Sequence, residues 1–291
     1  HRKFMSAARS VSRVKPIIVV KSGRSRAAAR AAASHTGAMA GQDEAYNALF
    51  RRAGMIRVDT ISQLFSCAEA LAKTSRPLGG KVAIVTNAGG PGVMAVDAFA
   101  KWNAEPATLS PETLARLDAF LPLYWSHNNP IDILGDATPE RYLQAVQVCL
   151  EAQEVSGVIV ILSPQAMTDP TAVARKLVAT LKPQSKPVFA VWMGGRDVAA
   201  GIDILNSGGI PTFHTPEEAV DTFMQMYSYT RNLKLLQETP PQSPVDIKVN
   251  YKQARNFIDA CLQRQLYTLS EVEAKAILSA YGIPVNRTIP A

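Results

Sequence analysis

Short continuous apolar runs alternate along this chain with longer stretches whose apolar residues recur every three or four positions, and that alternation lays out most of the architecture. KPIIVVKSG (residues 15–23) reads as a buried strand, a continuous β-branched run bounded by Pro16 and Gly23. FMSAARSVSRVKP before it predicts a helix running into that strand. After it, QDEAYNALFRRAG (residues 42–54) predicts a helix with Asp43 and Glu44 in its first turn and Gly54 as its C-cap. MIRV is a short strand and ISQLFSCAEALAKT a further helix. Two strands do not make a stable doubly wound sheet, so residues 1–78 predict the C-terminal half of an α/β domain whose other strands are expected upstream.

From Lys81 the alternation is complete. Strands are predicted at KVAIVTN, GVIVILS, PVFAVWMGG and IPTFH, separated by helical stretches such as PGVMAVDAFAKW, PERYLQAVQVCLEA, PTAVARKLVATL and DVAAGIDILNSG, and the last strand leads into PEEAVDTFMQMYSYTRNLKLL. Apolar strands joined by helices imply a parallel sheet covered on both faces, here a flavodoxin-like or Rossmann-like doubly wound α/β domain over residues 80–237. ETPPQSP holds neither a helix nor a central strand, so residues 238–250 are expected to be a linker. Residues 251–291 predict helix, helix and the start of a strand, as though a further domain were cut short.

Composition narrows the class. Apolar residues make up 47% and charged ones 19%, ordinary globular values, and 291 residues suffice for about two domains. No apolar run approaches the roughly 20 residues that span a bilayer, and HRKFMSAARS lacks the apolar segment of a signal peptide, so a cytoplasmic protein without a membrane partner is expected. Cys67, Cys149 and Cys261 are far apart and lack metal-ligand spacing, so buried thiols are expected and no metal site. The net charge of +7 is concentrated: nine Lys or Arg and no acid precede Asp43, whereas 22 basic residues face 24 acidic ones from there on. A local excess suits the lining of one anionic site, or a solvated basic helix, better than a nucleic-acid footprint. Trp102, Trp125 and Trp192 form no spaced platform for stacked bases.

The clearest candidate chemistry is Thr86-Asn87-Ala88-Gly89-Gly90-Pro91-Gly92. A strand ends, glycines admit close approach of a ligand, Pro91 suits a first helical position, and the helix would present free N–H groups and a positive dipole end, a phosphate site. A tight turn chosen for packing explains the same pattern. His35 sits among small residues in SHTGAMAG, with Arg24, Arg26 and Arg30 upstream. By composition it is better read as an incidental surface histidine; chemically, a neutral imidazole there is able to attack phosphorus and hold the group as a phosphoramidate. His127 and His214 read as ordinary loop and helix-entry histidines.

KSGRSRAAARAAASHTGAMAGQDEAYNALFRRAGMIRV resembles the phosphohistidine loop and following helix of the NDP-forming acyl-CoA synthetases, relatives of succinyl-CoA synthetase. TNAGGPGVMAVD and NPIDILGDATPERY resemble that family's second ligase domain, and LSEVEAKAILSAYGIPV the opening of its ATP-grasp domain. The resemblance implies His35 as the phosphorylated nucleophile, Asn87, Ala88, Gly89, Gly90 and Gly92 as a phosphate-binding turn, and Ser34, Thr36, Gly37, Asn129 and Asp132 as further residues of the site; an Asx-type turn accounts for the last two nearly as well. It implies an acid–CoA ligase in which phosphate cleaves an acyl-CoA to an acyl phosphate, the histidine takes the phosphoryl group and the loop passes it to ADP. Phosphate, ATP or ADP, CoA and Mg2+ are the implied ligands, and short-chain acyl-CoAs the implied substrates. Most of the CoA, nucleotide and Mg2+ sites are expected in CoA-binding and ATP-grasp domains beyond this chain, which alone is expected to be inactive; a homo-oligomer fits the family. The alternative is an acyl-CoA-sensing region of a GNAT-type lysine acetyltransferase, because FMSAARSVSRVKPIIVVKSGR resembles those fused proteins as well.

Overall fold

The computed structural model describes residues 2–25, 27–28, 30, 43–181, 185–237 and 249–286. The chain divides into two compact units, His1–Gln237 and Glu238–Ala291.

The first unit opens with helix α1 (Arg2–Ser12), strand β1 (Ile18–Val20), helix α2 (Asp43–Arg52), strand β2 (Ile56–Val58) and helix α3 (Ile61–Lys73). β1 and β2 pair in parallel, Ile18 opposite Ile56 and Val20 opposite Val58. β1 is shorter than its apolar run predicts and half-buried, since it has one strand neighbour among the described residues. α2 ends as expected: Gly54 adopts φ +69°, its N–H meets the Arg51 carbonyl, and the Met55 N–H reaches back to Phe50, a left-handed stop that favours glycine. Thr60 starts α3 by accepting from the Gln63 N–H.

The same unit continues into a five-stranded sheet: β3 (Val82–Thr86), β4 (Ile131–Asp132), β5 (Gly157–Leu162), β6 (Val188–Trp192) and β7 (Thr212–Phe213). All pairings are parallel, and the spatial order is β4-β3-β5-β6-β7. Every residue of β3, β5 and β6 is buried, as an apolar run without alternation requires when both faces are covered. Among the described residues, the cover comes from α4 (Gly89–Ala100), α5 (Pro111–Asp118), α6 (Pro139–Glu151), α7 (Pro170–Thr180), α8 (Ala199–Ser207) and α9 (Pro216–Gln237), with α3 joining on one face. α5, α6 and α7 each begin on a proline behind Ser110, Thr138 or Asp169, whose side chains accept from the first-turn N–H groups.

Alternate residues of β3 feed two cores. Ala83 and Val85 join Leu117, Tyr142, Val146, Val173, Leu177 and Leu205 on one face. Val82 and Ile84 join Phe99, Phe223 and Met226 on the other, and that cluster also takes in Ile56 and Val58 of β2 and Cys67 and Ala70 of α3. The small sheet and the large one therefore share hydrocarbon. β4 was not foreseen; it is two residues long and carries Pro130 immediately before it, so NPID reads as a loop.

In the second unit α10 (Tyr251–Gln263) is capped by Asn250 and α11 (Glu271–Ala280) by a reciprocal Ser270–Glu273 capping box. The Asn250 N–H donates to the Ala280 carbonyl at 2.8 Å, joining the start of one helix to the end of the other. GIPV, expected to open a strand, forms none among the described residues, and of the expected linker over 238–250 all but Val249 and Asn250 lie outside them. Cys67, Cys149 and Cys261 are free and buried.

Candidate active site

In the order β4-β3-β5-β6-β7 the chain leaves β3 for one edge and then returns to its other side, so the carboxyl ends of β3 and β5 flank a topological switch point, where open α/β sheets bind ligands. β3 ends there at Thr86. Its buried Oγ1 accepts from the Ala88 N–H at 3.1 Å and donates to the Ala88 carbonyl at 2.8 Å, turning the backbone sharply. Ala88 is extended, at φ −145° and ψ 122°, and α4 begins at Gly89, two residues before the proline that the sequence suggests as its start. Pro91 is tolerated at the third position because the first four N–H groups of a helix lack intrahelical acceptors.

Ala88 also has no side-chain oxygen with which to cap α4. α3, α5, α6 and α7, by contrast, satisfy their first turns with Thr60, Ser110, Thr138 and Asp169. Gly89 and Gly90 are exposed, and neither N–H has a partner among the described residues. A Cβ built at Gly90 would meet nothing within 4 Å, whereas one at Gly92 would lie 3.1 Å from Thr86 Cγ2 and 3.2 Å from Pro130 Cβ. Gly92 thus lets the helix close on the sheet, and Gly90 leaves open space at its mouth.

Asn87 and Asn129 face backbone. Asn87, 2% exposed, donates through Nδ2 to the Ser163 carbonyl at 2.8 Å and accepts from the Ser163 N–H at 2.9 Å, tying the end of β3 to that of β5. Asn129 accepts from the Ile84 N–H at 2.9 Å and donates to the Val82 and Ala107 carbonyls, each at 2.8 Å; the peptide that follows it is cis. Asp132 Oδ1 takes the Leu134 N–H in an Asx-type turn, while Oδ2 comes within 3.2 Å of where a Cβ on Gly89 would sit, beside the helix mouth. Behind β5, burial raises the Tyr142 phenol well above its ordinary pKa, Asp132 adding to the effect, and its hydroxyl donates to the Ile161 carbonyl. Ser163 and Thr168, which complete the Asn87 cluster, were not foreseen, because they stand more than 70 residues away along the chain.

His35, with Ser34, Thr36 and Gly37, lies outside the described residues. Arg24 upstream pairs with Asp59 and with Asp43, which holds its guanidinium pKa above the usual value. His127 is exposed, with Nδ1 2.9 Å from Asp118 Oδ1 and Nε2 3.0 Å from the Leu123 carbonyl. His214 is exposed after β7, its N–H facing Glu218. Among the described residues no three His, Cys, Asp or Glu side chains gather as metal ligands, and no helix is long and apolar enough to cross a membrane.

Residues 1–71 match the succinyl-CoA ligase like flavodoxin domain and residues 82–237 the ligase-CoA domain. The acetate–CoA ligase [ADP-forming] I of Archaeoglobus fulgidus is 38% identical over 284 residues, which cover 98% of this chain and 40% of that protein. The 4-hydroxybutyrate–CoA ligase [ADP-forming] of Nitrosopumilus maritimus is 32% identical, with 99% and 41% covered. Among solved structures, the dinucleotide forming acetyl-coenzyme A synthetase 1 of Ca. Korarchaeum cryptofilum, in complex with phosphate and ADP, superposes with a TM-score of 0.75 at 35% identity, covering 81% of this chain and 51% of that one. The chain thus spans about two fifths of the length of the first two relatives. With a parallel sheet of that topology and a domain match running from β3 to the end of α9, this chain belongs to the ligase-CoA domain family.

Proposed function

We propose that this chain is the phosphoryl-carrying region of a cytoplasmic ADP-forming acid–CoA ligase acting on acetate or a similar short acid, with His35 as the phosphorylated group and the mouth of α4 as the site that steadies the phosphate. The observation that carries the reading is the pair of exposed N–H groups at Gly89 and Gly90, uncapped and set at the switch point of the sheet. The names of the relatives, ADP-forming ligases of acetate and 4-hydroxybutyrate, support the reaction class. None of the relatives named above is an acetyltransferase, and their names support the ligase reading.

In this reading a phosphate oxygen attacks the carbonyl carbon of the acyl-CoA, the C–S bond breaks, and CoA leaves as the thiol. A neutral ring nitrogen of His35 attacks phosphorus of the acyl phosphate, and the P–O bond breaks towards the departing carboxylate. The terminal oxygen of ADP then attacks phosphorus, the P–N bond breaks, and His35 is neutral again. Phosphoryl transfer needs little from a protein beyond position and charge stabilisation, and the helix dipole with the Gly89 and Gly90 N–H groups supplies both to the non-bridging oxygens. Mg2+ would neutralise charge on the nucleotide; the sites for CoA, nucleotide and Mg2+ belong, in this reading, to parts of the protein beyond this chain.

Incubating the intact protein with acetyl-CoA and labelled phosphate tests the proposal. Acid-labile label should map to His35 and be lost in His35→Asn. Unlabelled protein that still binds acetyl-CoA overturns it.

A further inference from the structure

A second concave site, away from the α4 mouth, lies where α2 faces the C-terminal part of α9. A cavity of about 290 Å³ is lined there by Asn47 and Arg51 of α2, Arg57 of β2, and Gln225, Arg231 and Asn232 of α9. A neighbouring cavity of about 420 Å³ shares Arg51 and Asn232 and adds Arg9 and Arg52. No Asp or Glu lines either one. Two of these cations are already engaged: Arg57 pairs with Asp43, and Arg9 donates to the Arg52 carbonyl. Arg51, Arg52 and Arg231 are exposed and have no carboxylate partner among the described residues. The dipole of α2 favours cations in its last turn, which accounts for Arg51 and Arg52, but not for Arg231, which converges from a different helix.

We infer that this cleft binds a small polyanion bearing two or more phosphate or carboxylate groups, a ligand distinct from the phosphate of the proposed reaction. Planar guanidinium forks recognise either acidic group through paired N–H donors, and forks from two helices suit a molecule with acidic groups at separate ends. The cavity falls at the small end of ligand pockets, which run from about 300 Å³ upward. It excludes a large cofactor and admits a compact metabolite.

Calorimetric titration of the intact protein with pyrophosphate, and separately with citrate, tests this and tells the phosphate source from the carboxylate source. One of the two should bind saturably; the affinity should fall at least tenfold in Arg51→Gln and in Arg231→Gln, and stay within twofold in His35→Asn and in Arg175→Gln, an exposed arginine of α7 outside the cleft. Both cleft positions are exposed, and circular dichroism checks that the variants fold. No saturable binding of either probe, an equal loss in all three arginine variants, or a loss confined to His35→Asn overturns the inference. The last of these outcomes would place the anion at the reaction site and leave the proposed function standing.

Discussion

Replacing Asn129 tests whether a side chain stands in for part of a strand. β4 pairs only with Val85 and Thr86, and further back along that edge of β3 the Asn129 carboxamide takes over, meeting Ile84, Val82 and Ala107 at 2.8–2.9 Å. Asn129→Ala removes all three bonds. Ile84 is fully buried, so its orphaned N–H costs about 1–3 kcal/mol. The other two bonds add about 1 kcal/mol between them, because Val82 O keeps the bond from the Ala107 N–H. The expected loss is therefore about 2–4 kcal/mol, a large share of a stability of about 5–15 kcal/mol. Asn129→Asp keeps the acceptor for Ile84 but turns a carboxylate oxygen towards two carbonyls, so it should cost at least as much at neutral pH and recover in part when acid protonates the new carboxyl. Trp102, Trp125 and Trp192 all lie in the first unit, so tryptophan fluorescence in a urea titration reports its unfolding alone. A loss in Asn129→Ala below about 0.5 kcal/mol, the scale of an ordinary surface change, refutes the argument.

Gly92→Ala should destabilise by about 1–3 kcal/mol, since its methyl would press on Thr86 and Pro130, and urea denaturation measures it. Gly90→Ala, with open space around it, should leave stability unchanged or raise it by up to about 1 kcal/mol. The same methyl narrows the helix mouth, so labelling of His35 should drop while the denaturation midpoint holds; unchanged labelling counts against the mouth as the phosphate site. Glu154 is pushed up by desolvation but pulled further down by hydrogen bonds from the Ser110 N–H and the hydroxyls of Thr113 and Ser110, to a pKa of about 2. A depressed carboxylate stabilises the fold above its unfolded pKa and loses that contribution as pH falls towards 2, so Glu154→Gln should flatten the acid limb of stability between about pH 4.5 and pH 2. Burial pushes the Cys67 and Cys149 thiols up to about 12, so in the folded chain neither should react with a disulfide reagent at pH 8 over the time in which both react in urea.

Legibility in the sequence followed the range of the interactions. The helices behind Thr138, Asp169 and Ser270, and the stop at Gly54, are written within a few residues of one another and read correctly. So do the strands β3, β5 and β6, whose unbroken apolar runs require cover on both faces. β4 was hidden because two residues behind a proline carry no period. The early start of α4 was hidden for a related reason: Gly89 and Gly90 are poor helix formers, and their place in the helix is set by the Thr86 hydroxyl turning the chain at Ala88 and by Gly92 seating on Pro130. The merging of residues 1–73 with the larger sheet was also unreadable, since Ile56, Val58 and Cys67 reach the same core as Phe223 from over 150 positions away.

The two asparagines show how residues of a candidate site motif can serve the fold. Asn87 follows the carboxyl end of β3 and Asn129 lies beside Val82 and Ile84 on its opposite edge; both turn their amides mainly to backbone, one reaching across to β5 and the other along β3. A carboxamide reproduces the donor and acceptor of a peptide group but ends after one residue, so it holds neighbouring segments to β3 without committing them to a longer ladder. β4 pairs with β3 through two residues, and the chain after Leu162 leaves β5 through Ser163 and Thr168. The strand ends are thereby held, and α4 begins beside them with no capping side chain of its own. The side chains around the proposed site thus turn inward, and at its mouth stand two exposed glycines, which carry no side-chain signature beyond having none.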